Sequence, residues 1–192
     1  MLRPLEKTDD LTRVAELIYH TNDRLFPFLF GKEEKAIPKI KALIERDDNV
    51  FSHKYIWVEF KDELRAILIE IDVDDQPSNK KDFEAVFKKS ERFKLWFKGL
   101  LTFSIFHKPV RQGRYIQNIC VCESHRGRGV GSKMMNDAIL RAKMKHRSHV
   151  SLDVSVTNKP AIDLYQMLGF KVIKKRRAWG FINKTYLMEK EL

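Results

Sequence analysis

From Tyr115 the chain reads "YIQNICVC", a run of apolar and β-branched residues that predicts a strand. From Val130 it reads "VGSKMMNDAILRAKMKH", with Val130, Met134, Ala138 and Ile139 near one face of a predicted helix. Between them lies "ESHRGRGVG", residues 123–131, with three glycines and two arginines. The first turn of a helix carries backbone N–H groups with no partner inside the helix, and the helix dipole adds positive potential there. Glycine adopts positive φ and lets the backbone come close to a bound group. Together these make a cradle for an anion such as a pyrophosphate, with Arg126, Arg128 and Lys133 supplying charge around it. The spacing is not that of a P-loop, since no Gly-Lys-Ser/Thr occurs. Nor is it the dinucleotide fingerprint, which needs a third glycine where Lys133 and Met134 stand. Read alone, the turn also fits a basic connection with no ligand, or an Arg-Gly contact to nucleic acid.

The neighbouring segments give the junction its setting. "HVSLDVSV" alternates Val150, Leu152, Val154 and Val156 with polar residues and predicts a strand. "NKPAIDLYQMLG" predicts a short helix with Pro160 near its start and Gly169 at its end. "FKVIKKRR" and "GFINKTYLMEKEL" predict two more strands. Upstream, Leu11, Val14, Ala15 and Ile18 recur at helical spacing behind Thr8 or Asp9 as the cap. Ile37, Ile40, Leu43 and Ile44 mark a second helix that starts or kinks at Pro38. Tyr55–Phe60 and Leu64–Ile71, joined by Lys61–Glu63, predict an antiparallel hairpin. Residues 75–110 predict a helical insert with an aromatic face (Phe83, Phe87, Phe93, Trp96, Phe97), either covering an edge of the core or forming a substrate lid. Strand–helix–strand–helix–strand after a hairpin and two helices implies a mixed α/β sheet.

At 192 residues, the expectation is one domain over 1–192 carrying that insert. A hydrophobic share of 43% with 13 phenylalanines supplies a core. The formal net charge of +11 attracts anions without saying which. Cys120 and Cys122 are read as pointing to opposite faces of their strand and so as unpaired, which makes a reducing compartment the default. No Cys/His spacing typical of zinc occurs, so no metal is expected. "MLRPLEKTDD" has no apolar signal region and no apolar run reaches about 18 residues, so the protein is expected in the cytoplasm and off the membrane. No recognition-helix or RNA-binding motif supports a nucleic-acid partner.

Two of these segments together resemble the GCN5-related N-acetyltransferase (GNAT) superfamily. Its signature turn is Gln/Arg-x-x-Gly-x-Gly/Ala, and Arg126, Gly129 and Gly131 occupy its fixed positions. Its second signature is matched by "LDVSVTNKPAIDLYQMLGFK", with Asn158, Ala161, Leu164, Tyr165, Gly169 and Phe170 in register. The match spans residues 115–171. The resemblance implies an α/β (α+β) fold with a mixed, mostly antiparallel central sheet and helices on both faces. It implies an enzyme that uses acetyl-CoA as co-substrate, with no metal and no covalent enzyme intermediate. The backbone of Arg126, Gly127, Arg128, Gly129, Val130 and Gly131, with Ser132, would hold the pyrophosphate. That of Cys120 and Val121 would pair with the pantetheine arm and polarise the thioester carbonyl. Strands near 117–122 and 151–156 would diverge to admit the arm. Asn158 would hydrogen-bond to the cofactor, and Tyr165 would protonate the departing thiolate. By its own pattern Tyr165 lies on an apolar helix face with Ile162 and Leu168, where a tyrosine is core with its hydroxyl paired.

No base is evident. Gln117, on the central strand, cannot accept a proton. Glu70, Asp72, Glu123, His125 and a water chain all remain candidates. The acceptor is a small-molecule or protein amine, met either by an acidic patch of Glu70 and residues 72–75 or by an apolar pocket lined by the insert. A homodimer is common among look-alikes. A non-catalytic acyl-CoA-binding module of the same fold is the alternative, and a basic nucleic-acid-binding protein a weaker one.

Overall fold

The computed structural model describes residues 1–102, 113–177 and 184–192. Residues 103–112 and 178–183, which include the end of the expected insert and the first residues of the expected last strand, lie outside the described residues. The chain runs β1 (Leu2–Pro4), α1 (Leu11–Tyr19), α2 (Leu25–Phe30), α3 (Glu33–Ile44), β2 (Ile56–Phe60), β3 (Leu64–Asp72), α4 (Lys80–Val86) and α5 (Lys89–Thr102). It continues through β4 (Gly113–Val121), α6 (Val130–Met144), β5 (His149–Ser155), α7 (Lys159–Met167), β6 (Lys171–Arg177) and β7 (Lys184–Glu191). The strands form one sheet in the order β1-β2-β3-β4-β5-β7-β6. All pairings are antiparallel except β4 with β5, which are parallel and joined through α6.

Local chemistry explains most of these elements. The α1 cap is Asp10, whose carboxylate accepts from the N–H groups of Thr12 and Arg13. This corrects the expected cap: Asp9 is committed to Arg3, at 2.6 Å, and to the Glu6 N–H. Helix α3 runs through Pro38 rather than starting there. Burial of Ala36, Ile40, Leu43 and Ile44 offsets the roughly 3 kcal/mol that an internal proline costs. Helix α2, "LFPFLF", went unpredicted because six residues are too few to show a period.

Each face of the sheet carries its own core. On one, Ile67, Ile69 and Ile71 pack with Val14, Ile18, Ile40 and Ile44 of α1 and α3. On the other, Ala66, Leu68, Ile116, Val150 and Leu152 pack with Met134, Met135 and Ala138 of α6. Cys120 and Cys122 are free thiols buried on the first face, both of them. They do not point opposite ways, because residues two apart on a strand share a face.

Strand β4 carries a bulge. Ile69 pairs with Asn118 but Glu70 pairs with Ile116, so Gln117 has no opposite number on β3. The extra residue shifts the alternation, and the cross-strand partners of both Tyr115 and Asn118, Ile71 and Ile69, belong to the α1 face.

Candidate active site

The ladder between β4 and β5 stops early. Gly113–Ile116 pair with His149–Leu152, and among the described residues no pairing between them follows, although both strands continue to Val121 and Ser155. The expected divergence near 117–122 and 151–156 is therefore present. Tyr165 packs in the α6-side core and also lines a cavity bounded by Thr21, Phe26 and Phe51 of the α1 side. The gap between the strands thus opens through the sheet.

That cavity has a volume of about 760 Å³. Its floor comes from Tyr115–Ile119 of β4 and Leu152–Ser155 of β5, with Asn158, Tyr165 and Thr185 beside them. Its wall is apolar. Phe26, Phe30 and Phe51 pack with ring centroids 5.8, 6.0 and 6.1 Å apart, and Phe83 and Leu95 of the insert complete it.

Of the residues singled out from sequence, Asn158 and Tyr165 meet here. Asn158 is exposed and caps α7, accepting from the Ala161 N–H at 3.3 Å. Tyr165 is buried, and its hydroxyl has no hydrogen-bond partner among the described residues, contrary to what its core position predicted. Burial raises its pKa well above the ordinary phenol value and keeps it protonated at neutral pH.

Cys120, Val121 and residues 126–132 do not line the cavity; they lie at and beyond the end of β4. Burial pushes the Cys120 thiol up to about 11. The Val121 carbonyl accepts from Arg126 Nε at 3.2 Å. Gly127 and Gly129 hold φ of +71° and +77° with nothing within 4 Å of where a Cβ would stand. Gly129 forms the start of α6 with no side-chain cap, so the first N–H groups of that helix are not met by a capping side chain. Arg126 and Arg128 are exposed around this turn. Val130 is buried beneath it, and Gly131 stands where a Cβ would meet Leu164 of α7 at 3.6 Å. Lys133 is drawn to Glu59 of β2 at 2.9 Å, so its charge does not stand free at the turn.

The carboxylates proposed as a base or acidic patch are elsewhere. Arg114, 2% exposed, donates to Glu70 at 2.8 Å and to Asp72 at 2.7 and 3.0 Å. Arg141 adds two bonds to Glu70 and stacks over Trp57 at 3.7 Å, and Lys145 and Arg147 reach Asp72. Asp74 pairs with Arg147, and Asp75 accepts from Tyr55 at 3.3 Å. Burial alone would raise the pKa of Asp72, but bonds from Arg114 and Lys145 outweigh it and bring it down to about 2. Glu70, Asp72 and Asp75 line a separate hollow of about 250 Å³ with Arg114 and Trp57. Glu123 is exposed and pairs with Arg126, and His125 lies 3.5 Å from Glu63.

The carboxylate that does line the cavity is Asp153, missed from sequence. It accepts from Tyr115 Oη at 3.1 Å, and Arg176 lies 3.8 Å away. Burial raises its pKa to about 6 against the pull of Arg176 and Tyr115. Its Oδ1 is buried without a hydrogen bond among the described residues, as is Oδ1 of Asn118, whose Nδ2 donates to Thr21 at 2.7 Å. The signal was available: in "LDVSV" an aspartate stands between Leu152 and Val154, on the face opposite the α6 core. Among the described residues no cluster of His, Cys, Asp and Glu is arranged to hold a metal, and no helix is long and apolar enough to cross a membrane.

Residues 57–170 match the profile of the Acetyltransferase (GNAT) family. The chain is 30% identical over 92 residues to GCN5-related N-acetyltransferase 6, a chloroplastic protein of Arabidopsis thaliana, covering 48% of this chain and 32% of that one. It is 41% identical over 69 residues to an uncharacterized N-acetyltransferase of Methanocaldococcus jannaschii, covering 36% and 30%. The chain thus spans about a third of the length of these curated relatives. An N-acetyltransferase from Staphylococcus aureus Mu50 shares the fold at a TM-score of 0.78 and 17% identity, over 99% of this chain and 100% of that one. A chain of the NatC complex bound to Gag peptide and CoA shares it at 0.61 and 15%, over 100% and 98%.

Proposed function

Since the chain belongs to the acetyltransferase (GNAT) family, we propose that it transfers an acetyl group from acetyl-CoA to a primary amine by direct attack in a ternary complex. The observation that carries this reading is the parting of β4 and β5 beside the cavity, with Asp153 and Tyr165 both at the gap. The turn fits the co-substrate. Its two positive-φ glycines leave open space that any Cβ would fill, in front of an uncapped helix start flanked by Arg126 and Arg128. Residues 126–132 would hold the pyrophosphate, Asn158 and the free edges of β4 and β5 the pantetheine arm.

Acetyl-CoA supplies the activated acyl group. The residues of the chain do the rest. The backbone at Val121 polarises the carbonyl, and the gap fixes the direction from which the amine approaches. Asp153 replaces the base candidates drawn from sequence: it is ionised at neutral pH yet more basic than an exposed aspartate, and Tyr115 fixes its orientation. It takes the proton from the acceptor's ammonium. The amine attacks the thioester carbon, the C–S bond breaks as Tyr165 gives its proton to the departing sulfur, and the surplus proton on the new amide nitrogen replaces the one Tyr165 gave. The buried free thiols of Cys120 and Cys122 suit a reducing, cytoplasmic setting.

The test is release of CoA thiol from acetyl-CoA in the presence of a panel of amines, alongside calorimetric titration with acetyl-CoA. Amine-dependent release is expected. Tight acetyl-CoA binding with no release for any amine would sink the enzyme and leave a binding module.

A further inference from the structure

The cavity has more room and more chemistry than proton removal needs. Two of its lining residues, Asn118 and Asp153, each carry a buried acceptor, Oδ1, that has no hydrogen bond among the described residues. Thr185 lies beside Asp153 and favours its charged form, but its hydroxyl also lacks a well-formed bond. Leaving a buried acceptor unmet costs on the order of 1–3 kcal/mol, so a donor brought by a ligand to such a group is favoured. An ammonium brings three donors and no acceptor, which complements an amide oxygen and a carboxylate.

Facing this floor is the aromatic wall of Phe26, Phe30 and Phe51, extended by Phe83 on α4 and Leu95 on α5. The charged side chains in the described lining are Asp153, Asp23 and Arg24, the last two on the exposed α1–α2 connection. A polyamine would find one further carboxylate, Asp23, beside Arg24 at the exposed end, and would otherwise lay its ammonium groups against phenyl rings. An amine carrying an apolar group would meet donors with acceptors and rings with carbon.

We infer that the acceptor is a primary amine joined to a compact apolar group, aromatic or branched aliphatic, its ammonium held by Asn118 and Asp153 and its apolar group by the Phe26–Phe30–Phe51 cluster. This rests on the acetyl-transfer reading above. The same chemistry is offered by a free arylalkylamine and by a peptide with an apolar N-terminal residue.

The experiment measures kcat/KM for thiol release with four acceptors: ethylamine, 2-phenylethylamine, spermidine and a tetrapeptide beginning with leucine. 2-Phenylethylamine or the peptide is expected to exceed ethylamine and spermidine by on the order of a hundredfold. Whichever of the two is faster identifies the source. Phe83→Ala, at the half-buried rim, is expected to raise KM for the favoured acceptor about tenfold while leaving KM for acetyl-CoA unchanged. Spermidine or ethylamine turned over as well as the apolar amines would overturn the acceptor class and leave acetyl transfer standing. Unchanged discrimination in Phe83→Ala and in Phe30→Ala, both folded by circular dichroism, would overturn the aromatic seat. Absence of release with all four acceptors, with acetyl-CoA still bound, would overturn both.

Discussion

Tyr115 donates its phenolic hydrogen to Asp153 Oδ2 at 3.1 Å, across strands that are still paired one residue further along, at Ile116 and Leu152. The bond fixes one oxygen of the carboxylate and leaves the other, Oδ1, buried with no hydrogen bond among the described residues. With the pKa of Asp153 at about 6, kcat/KM is expected to rise with pH through about 6 and then level until the acceptor itself titrates. Asp153→Asn should lose that limb and fall by about 10²–10⁴-fold. The same substitution should stabilise the fold. A carboxyl raised from 3.8 to about 6 contributes stability below pH 4 that is lost as pH climbs through 6, on the order of 3 kcal/mol. Chemical denaturation at pH 4 and pH 8 checks the slope, and steady-state rates check the limb.

Tyr165→Phe separates a proton donor from a core ring. The hydroxyl has no partner among the described residues, so its removal should leave Tm unchanged or slightly higher. Turnover should fall by about ten- to a thousandfold with KM for acetyl-CoA unchanged. Full turnover across the pH range in the Phe variant would end the assignment.

Gly131 and Gly129 give a paired test of the turn. A Cβ on Gly131 would sit 3.5 Å from Val121 and 3.6 Å from Leu164, an ordinary contact, so Gly131→Ala should fold with nearly native stability. Its effect on acetyl-CoA affinity then reports the ligand alone. Gly129 has φ +77°, so Gly129→Val should cost about 1–2 kcal/mol of strain as well as abolish binding. Calorimetric titration of both variants with acetyl-CoA supplies the comparison.

Arg114→Met removes the centre of the buried ion cluster and leaves Glu70 and Asp72 with Arg141, Lys145 and Arg147. A loss of about 3 kcal/mol is expected by urea denaturation at pH 7. Asp72, brought down to about 2, contributes stability that is present above pH 4 and lost as pH falls toward 2. The variant should therefore show a shallower loss between pH 4 and pH 2 than the parent chain.

The elements on both sides of the glycine turn were legible because their periods are long and unbroken: Val130, Met134 and Ala138 repeat every four residues, and Val150, Leu152 and Val154 every two. Asn158 and Tyr165 were legible only through the pair of signatures, since a capping asparagine and a buried tyrosine carry no chemistry by themselves. What stayed hidden depends on register. A one-residue bulge at Gln117 puts Tyr115 and Asn118 on one face, and no local pattern announces it. For the same reason Glu70 and Asp72 looked available: their partners stand more than 40 residues away, on β4 and α6.

Beyond Ile116 and Leu152, among the described residues, β4 pairs with β3 alone and β5 with β7 alone. An ordinary sheet exposes unpaired backbone at its two rims, where it must be guarded against unwanted strands. This one has a second pair of rims at its centre, closed in by Thr21 from one side and Tyr165 from the other. The unpaired backbone that makes a sheet edge prone to aggregation is here turned inward, onto a cavity of about 760 Å³.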